Sequence, residues 1–129
     1  MEKDKTCKIV FSDIDGTLLT SDGQITEGTK EMILNLEKEG IPFILTSARS
    51  PEGVRVIKRM LGNHAPIIAF CGGLILDDDG NEIYSKRIPL KRALELKAIL
   101  DKDFPAVACN TFGGEKWIVD DRDDWREQR

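Results

Sequence analysis

Lys8-Ile9-Val10-Phe11-Ser12-Asp13-Ile14-Asp15-Gly16-Thr17-Leu18-Leu19 sets a short apolar run directly against two carboxylates, with a glycine immediately behind them. The run from Lys8 to Ser12 reads as a buried strand that ends at Asp13. Gly16 lets the backbone turn sharply just past the acidic pair. Carboxylates at the C-terminal end of such a strand stand where open α/β sheets place their ligands. Two repelling anions on an apolar strand need a counter-charge, and a hard divalent cation with oxygen ligands supplies one. An EF-hand loop is excluded, because Gly16 comes too early and no bidentate Glu follows at the required distance.

Outward from this segment, β-rich runs alternate with helix-period segments, the pattern of βαβ units on a parallel sheet. Thr26 predicts an N-cap for a helix through Glu39, with Met32, Ile33 and Leu36 as its apolar stripe and Gly40 at its end. Pro42 to Thr46 reads as a second strand. A helix follows from Pro51 to Leu61 with Val54, Ile57 and Met60 facing inward. Ile67 to Cys71 is a third strand. Leu74–Leu76 and Glu82–Tyr84 flank Asp77-Asp78-Asp79-Gly80-Asn81, a hairpin signal in which Gly80 and Asn81 accept left-handed backbone. Leu90 to Leu100 is helical by period. Ala106–Thr111 and Lys116–Val119 form a second hairpin around Gly113-Gly114, and Asp120 to Arg129 is a charged tail.

Composition narrows the function classes. The chain has 129 residues, enough for one ordinary domain with its own core, and a formal net charge of −4. Its Lys and Arg residues form no basic stripe, so no nucleic-acid partner is expected. No apolar run reaches membrane length, and no membrane partner is expected. Cys7, Cys71 and Cys109 are odd in number and lack any Cys-x-x-Cys spacing, which argues against a disulfide framework or zinc site. Cys7 and Cys109 read as strand-packing residues, His64 as structural or exposed. A cytoplasmic location is the expectation.

The Asp13-Ile14-Asp15-Gly16-Thr17 run resembles the first motif of the haloacid dehalogenase superfamily, Asp-x-Asp-Gly-Thr after an apolar strand. The resemblance implies that Asp13 attacks phosphorus and forms an aspartyl-phosphate, while Asp15 serves as general acid and base. It implies Mg²⁺ as cofactor, with Asp13 and Asp15 as its metal residues, through the Asp13 carboxylate and the Asp15 backbone carbonyl. Backbone amides from Ile14 through Gly16 to Thr17 would hold phosphoryl oxygens. Phe43-Ile44-Leu45-Thr46-Ser47-Ala48-Arg49-Ser50 resembles the Thr-Gly-Arg segment of the Cof-type branch, subfamily IIB. Alignment on Arg49 puts Ser47 at the phosphate-binding hydroxyl, with Thr46 as the fallback. A plainer reading makes Thr46 and Ser47 caps of the Pro51 helix. For Arg49, three roles stay open: orienting the loop, reaching substrate, or forming a surface ion pair. Cys71-Gly72-Gly73 stands where the branch usually has Asn-Gly-Ala. Gly72 thereby becomes a phosphate-binding candidate, and Cys71 lacks the amide of the usual Asn.

The resemblance implies an α/β fold: a three-layer Rossmann-like core with an incomplete parallel sheet, a β-hairpin, and the start of an α+β cap. Residues 1–89 would form the core part and 90–129 the beginning of the cap. Two later pieces of the superfamily's site, a Lys and an acidic Gly-Asp-x-x-x-Asp segment, have no counterpart in the sequence. The expectation is therefore a phosphatase of a small phosphorylated substrate, such as a sugar phosphate, with little or no turnover by these residues alone. The chain reads as either a piece of a longer protein or a short gene product. The alternatives are a phosphomutase-type phosphotransferase and a non-catalytic phosphate- or protein-binding remnant. A two-component receiver domain is disfavoured, because its acidic pair and phosphorylated Asp lie on different strands. An unpaired first strand would also leave an apolar edge open to self-association.

Overall fold

The computed structural model describes residues 7–114 and 116–120. The chain divides into two compact units, one ending at Lys86 and the other beginning at Arg87. The first contains β1 (Val10–Asp13), α1 (Glu27–Lys38), β2 (Phe43–Thr46), α2 (Pro51–Leu61), β3 (Ile67–Ala69), a 3₁₀ turn (Phe70–Gly72), β4 (Leu74–Leu76) and β5 (Glu82–Ser85). Its sheet runs β1-β2-β3-β4-β5 in sequence order. β1, β2 and β3 are parallel, whereas β4 and β5 add antiparallel partners beyond β3. Parallel neighbours need a crossover, and α1 and α2 provide the two. The three parallel strands therefore finish at one edge of the sheet, where Asp13, Thr46 and Ala69 stand.

Local chemistry explains the helix limits. The Thr26 hydroxyl accepts the Thr29 amide at 3.3 Å and opens α1. Ser50 accepts the Gly53 amide at 3.4 Å and opens α2, with Pro51 in the first turn, and Gly62 at φ 77° closes it. The cap of α2 is thus Ser50, and the capping role weighed for Thr46 and Ser47 falls away.

The core lies between the helices and one face of the sheet. Ile33, Phe43, Leu45, Val54, Ile57, Leu61, Ile67, Ala69 and Leu76 pack there with Ile14 and Leu18 from the loop after β1. Ile14, Leu45, Leu61 and Val54 are fully buried, each contributing about 1.5–3 kcal/mol relative to exposure. Met32, expected in the α1 stripe, is instead 64% exposed, because Ile33 and Leu36 already define the inward face. In α2 the fully inward third position is Leu61, and Met60 sits at the core's margin.

Several strand expectations shift. β1 begins at Val10 instead of Lys8. β3 stops at Ala69, two residues before the expected end, because Phe70 and Cys71 turn out of the ladder at φ 50° and 54°. In the β4–β5 turn Gly80 is left-handed, at φ 90°, while Asn81 is not. Asn81 instead donates its backbone and side-chain N–H groups to the Asp77 carboxylate, at 2.7 and 3.0 Å.

The second unit holds α3 (Leu90–Asp103) and the hairpin of β6 (Asn110–Gly113) and β7 (Lys116–Val119). β6 starts four residues later than Ala106. Trp117 stacks on its cross-strand partner Phe112 with ring centroids 5.9 Å apart, and its indole donates to Asn110 Oδ1 at 3.1 Å. Cys7 is exposed and Cys109 partly so, and both precede strands, so neither packs within one as expected. Residues 121–129, including Trp125, lie outside the described residues. No helix among the described residues is long and apolar enough to cross a membrane.

Candidate active site

The parallel register of β1 and β2 pairs Asp13 with Thr46. Both strands end at these residues, so the chain segments that follow them emerge side by side. Asp13 is exposed at the strand tip, and its Oδ1 accepts the Ile14 amide at 2.8 Å. Ile14 itself is driven into the core, and its carbonyl accepts the amides of Leu18 at 3.0 Å and Leu19 at 3.2 Å. This buried side chain pins a tight turn that keeps Asp13, Asp15, Gly16 and Thr17 at the surface. Gly16 sits at φ 76°, a left-handed conformation that favours glycine although no neighbour crowds the position.

Of the amides expected to face phosphate, that of Ile14 is taken by Asp13, and that of Thr17 makes a long 3.4 Å bond to the Ile14 carbonyl. Among the described residues, the amides of Asp15 and Gly16 have no protein acceptor.

Ser47 is only 6% exposed. Its hydroxyl accepts the Arg49 amide at 3.1 Å, and its own amide donates to the Ile68 carbonyl at 3.0 Å. The Phe70–Gly72 turn braces this loop from the β3 side. Phe70 N–H donates to the Arg49 carbonyl at 3.0 Å, and Cys71 N–H to the Ser47 carbonyl at 2.9 Å. Gly72, at φ 92°, completes the turn, and the Cys71 side chain is exposed.

The decisive contact is between Arg49 and Asp15. Arg49 Nε donates to Asp15 Oδ2 at 2.8 Å and Nη2 to Oδ1 at 2.6 Å, a bidentate charge-assisted pair. These hydrogen bonds, with the guanidinium charge behind them, hold the Asp15 carboxyl below its ordinary range against the small opposing effect of burial. The Arg49 pKa is raised by the same hydrogen bonds. Of the three roles open for Arg49, the structure displays the ion pair, and the pair is inside the site. A signal for it existed in the sequence. Asp15 lies two residues past the end of β1 and Arg49 three past the end of β2, so adjacent parallel strands bring opposite charges together.

Asp13 and Asp15 also fit a hard cation. The Asp13 carboxylate and the Asp15 backbone carbonyl are oxygen donors at one turn, and none of the described hydrogen bonds uses that carbonyl. Mg²⁺ is commonly held by one or two carboxylates while keeping several waters, so this small donor set suits it. No group of three or more His, Cys, Asp or Glu suited to a metal occurs among the described residues.

Sequence reasoning missed a second polar cluster. Lys58 donates to Asp78 and, at 2.6 Å, to the Ala65 carbonyl, while His64 Nδ1 lies 3.2 Å from Asp78 Oδ2. His64 is exposed, in keeping with its reading. The cluster edges a hollow of about 700 Å³ that also touches Ile67, at the start of β3. That end of the strand is opposite the one near Asp13, and Asp13, Asp15, Ser47 and Arg49 do not line the hollow.

A family model for haloacid dehalogenase-like hydrolases matches residues 10–129. A Haemophilus influenzae protein that carries a provisional phosphatase name is 36% identical over 124 residues, covering 89% of this chain and 47% of that protein. A haloacid dehalogenase-like hydrolase from Bacillus subtilis superposes with a TM-score of 0.79 at 25% identity, over 94% of this chain and 41% of that one. One from Bacteroides thetaiotaomicron gives a TM-score of 0.82 at 21% identity, over 92% and 46%. The chain belongs to the haloacid dehalogenase-like hydrolases. It spans less than half the length of these relatives.

Proposed function

We propose that the chain carries the nucleophile-bearing part of a Mg²⁺-dependent phosphatase acting on a small phosphorylated metabolite, a sugar phosphate or similar ester. One observation carries this reading. The pairing of Asp13 with Thr46 brings Asp13, Asp15, Ser47 and Arg49 to one edge of the sheet, where Arg49 grips Asp15.

In this reading Asp13 is the nucleophile. The Ile14 amide fixes one carboxylate oxygen, and the other attacks phosphorus. The Asp13 O–P bond forms as the ester P–O bond breaks, and Asp15 in its protonated form gives its proton to the departing alkoxide. Asp15 then takes a proton from water as that water attacks the aspartyl-phosphate, releasing phosphate and restoring Asp13. Ser47 and the amides beside Gly16 hold phosphoryl oxygens, with Thr46 and Gly72 bordering them. The Asp13 carboxylate and the Asp15 carbonyl would hold Mg²⁺, which would supply positive charge to offset repulsion between a carboxylate and a phosphate dianion. Positioning and charge stabilisation of this kind are most of what phosphoryl transfer requires.

The test is hydrolysis of an aryl phosphate with Mg²⁺ by the chain in its full natural length, beside Asp13→Asn. The substitution is expected to lower kcat by roughly three orders of magnitude. Acid quenching during turnover is expected to trap a phosphoryl group on the peptide holding Asp13. Equal rates in the two proteins would remove Asp13 from the chemistry.

A further inference from the structure

Both oxygens of the Asp15 carboxylate are engaged by Arg49, one by Nε and the other by Nη2. A carboxylate gripped this way has one lone-pair site on each oxygen occupied and its charge offset by the guanidinium, so it is a poorer partner for a leaving alkoxide or a water molecule. Giving up at least one of these bonds restores the basicity that Asp15 needs to move a proton. The pair can open: the side chains are 35% and 58% exposed, so water and other anions reach both partners. Guanidinium binds phosphate in the same forked geometry that it uses for carboxylate, so an arriving phosphate dianion competes for the same donors. The Arg49 backbone does not need to move, because Ser47 Oγ holds its amide and Phe70 N–H holds its carbonyl. Only the side chain has to swing.

We infer that Arg49 is an anion-responsive latch on Asp15. It holds the carboxylate at both oxygens, and an incoming phosphate ester draws the guanidinium away and frees Asp15. This inference rests on the phosphatase reading. It makes Arg49 a phosphate contact that also withholds Asp15 until a phosphate is present.

The experiment is calorimetric titration with inorganic phosphate, in the presence of Mg²⁺, of the chain in its full natural length. Four proteins are compared: the natural sequence, Asp15→Asn, Arg49→Gln, and the double variant. Both side chains lie at the surface, and circular dichroism verifies that each variant is folded. If Asp15 and phosphate compete for Arg49, Asp15→Asn binds phosphate about two- to fivefold more tightly. Arg49→Gln binds it more weakly, and the gain from Asp15→Asn disappears in the Arg49→Gln background. A gain of equal size in both backgrounds reports only repulsion between Asp15 and the anion, and overturns the latch while leaving the phosphatase reading intact. No gain in either background overturns it as well. A natural sequence that binds no phosphate removes the latch and the phosphatase reading together.

Discussion

Asp13 and Thr46 are partners in the parallel pairing of β1 with β2, so Ser47 begins the segment that leaves the sheet beside the Asp13 turn. Ser47 is buried, and its hydroxyl satisfies the Arg49 amide. Replacing it with alanine leaves that donor without its acceptor in a confined place, at a cost of about 1–3 kcal/mol. Ser47→Ala is expected to lower the urea unfolding midpoint, and Ser47→Thr to keep most of the loss from appearing. An unchanged midpoint in Ser47→Ala would show that the hydroxyl does not hold this turn.

The loop that braces Ser47 is itself strained. Cys71 adopts φ 54° and ψ 35°, a left-handed conformation that costs a side-chain-bearing residue about 1–2 kcal/mol. Glycine removes that cost but loses more backbone freedom on folding, about 0.5–1 kcal/mol. Cys71→Gly is therefore expected to stabilise the protein slightly, by about 0.5 kcal/mol. Cys71→Val is expected to destabilise it, because a residue branched at Cβ tolerates positive φ less well than cysteine does. Guanidinium unfolding of the two variants checks the order, and a valine variant as stable as the glycine one defeats the argument.

The same turn marks where sequence reading stops. Periodicity and caps located α1, β2 and α2 to within a residue or so, because Thr26, Pro51 and Gly62 have strong local preferences. The Asp-x-Asp-Gly-Thr run is also a local event, a strand end followed by glycine, but the roles proposed for its residues come from its resemblance to a family motif. Phe70 and Cys71 carry no local signal for left-handed backbone. Their conformation is imposed by hydrogen bonds to Ser47 and Arg49, more than twenty residues earlier. The Arg49–Asp15 pair is likewise a product of strand register. It becomes readable only after the parallel pairing of β1 and β2 is assumed. Met32 was misread because a helix of twelve residues resting on one small sheet buries only a narrow stripe.

The pair of Lys58 and Asp78 gives a pH prediction whose sign is fixed. The Asp78 carboxyl is held below its ordinary range, first by the hydrogen bond from Lys58 and secondarily by His64, against the effect of burial. A carboxyl depressed in the folded state adds stability above its unfolded pKa of about 3.9, and that stability is lost as the pH falls through the folded value. Asp78 is partly exposed, so the contribution is at most about 1 kcal/mol. Asp78→Asn is expected to be less stable than the natural sequence at pH 7, with the gap closing below about pH 4. Chemical denaturation at several pH values measures it, and a gap that widens on acidification contradicts the assignment.

β1 pairs only with β2 among the described strands, which leaves its other side a free row of backbone donors and acceptors. Phe11 within this strand and Ile9 just before it are 56% and 43% exposed. An open strand edge with apolar side chains is a template for pairing with another chain, whereas a lysine on such an edge discourages it. These 129 residues, produced on their own, are therefore expected to self-associate as concentration rises. Phe11→Lys should shift the equilibrium towards monomer, while a lysine placed at exposed Met32 should not, because that residue is on α1 and not on the β1 strand. Sedimentation velocity over a hundredfold concentration range, roughly micromolar to a tenth millimolar, resolves the species at the concentrations where exposed edges associate. A single monomeric boundary throughout, or equal shifts for the two lysine variants, would show that the β1 edge does not recruit a second copy.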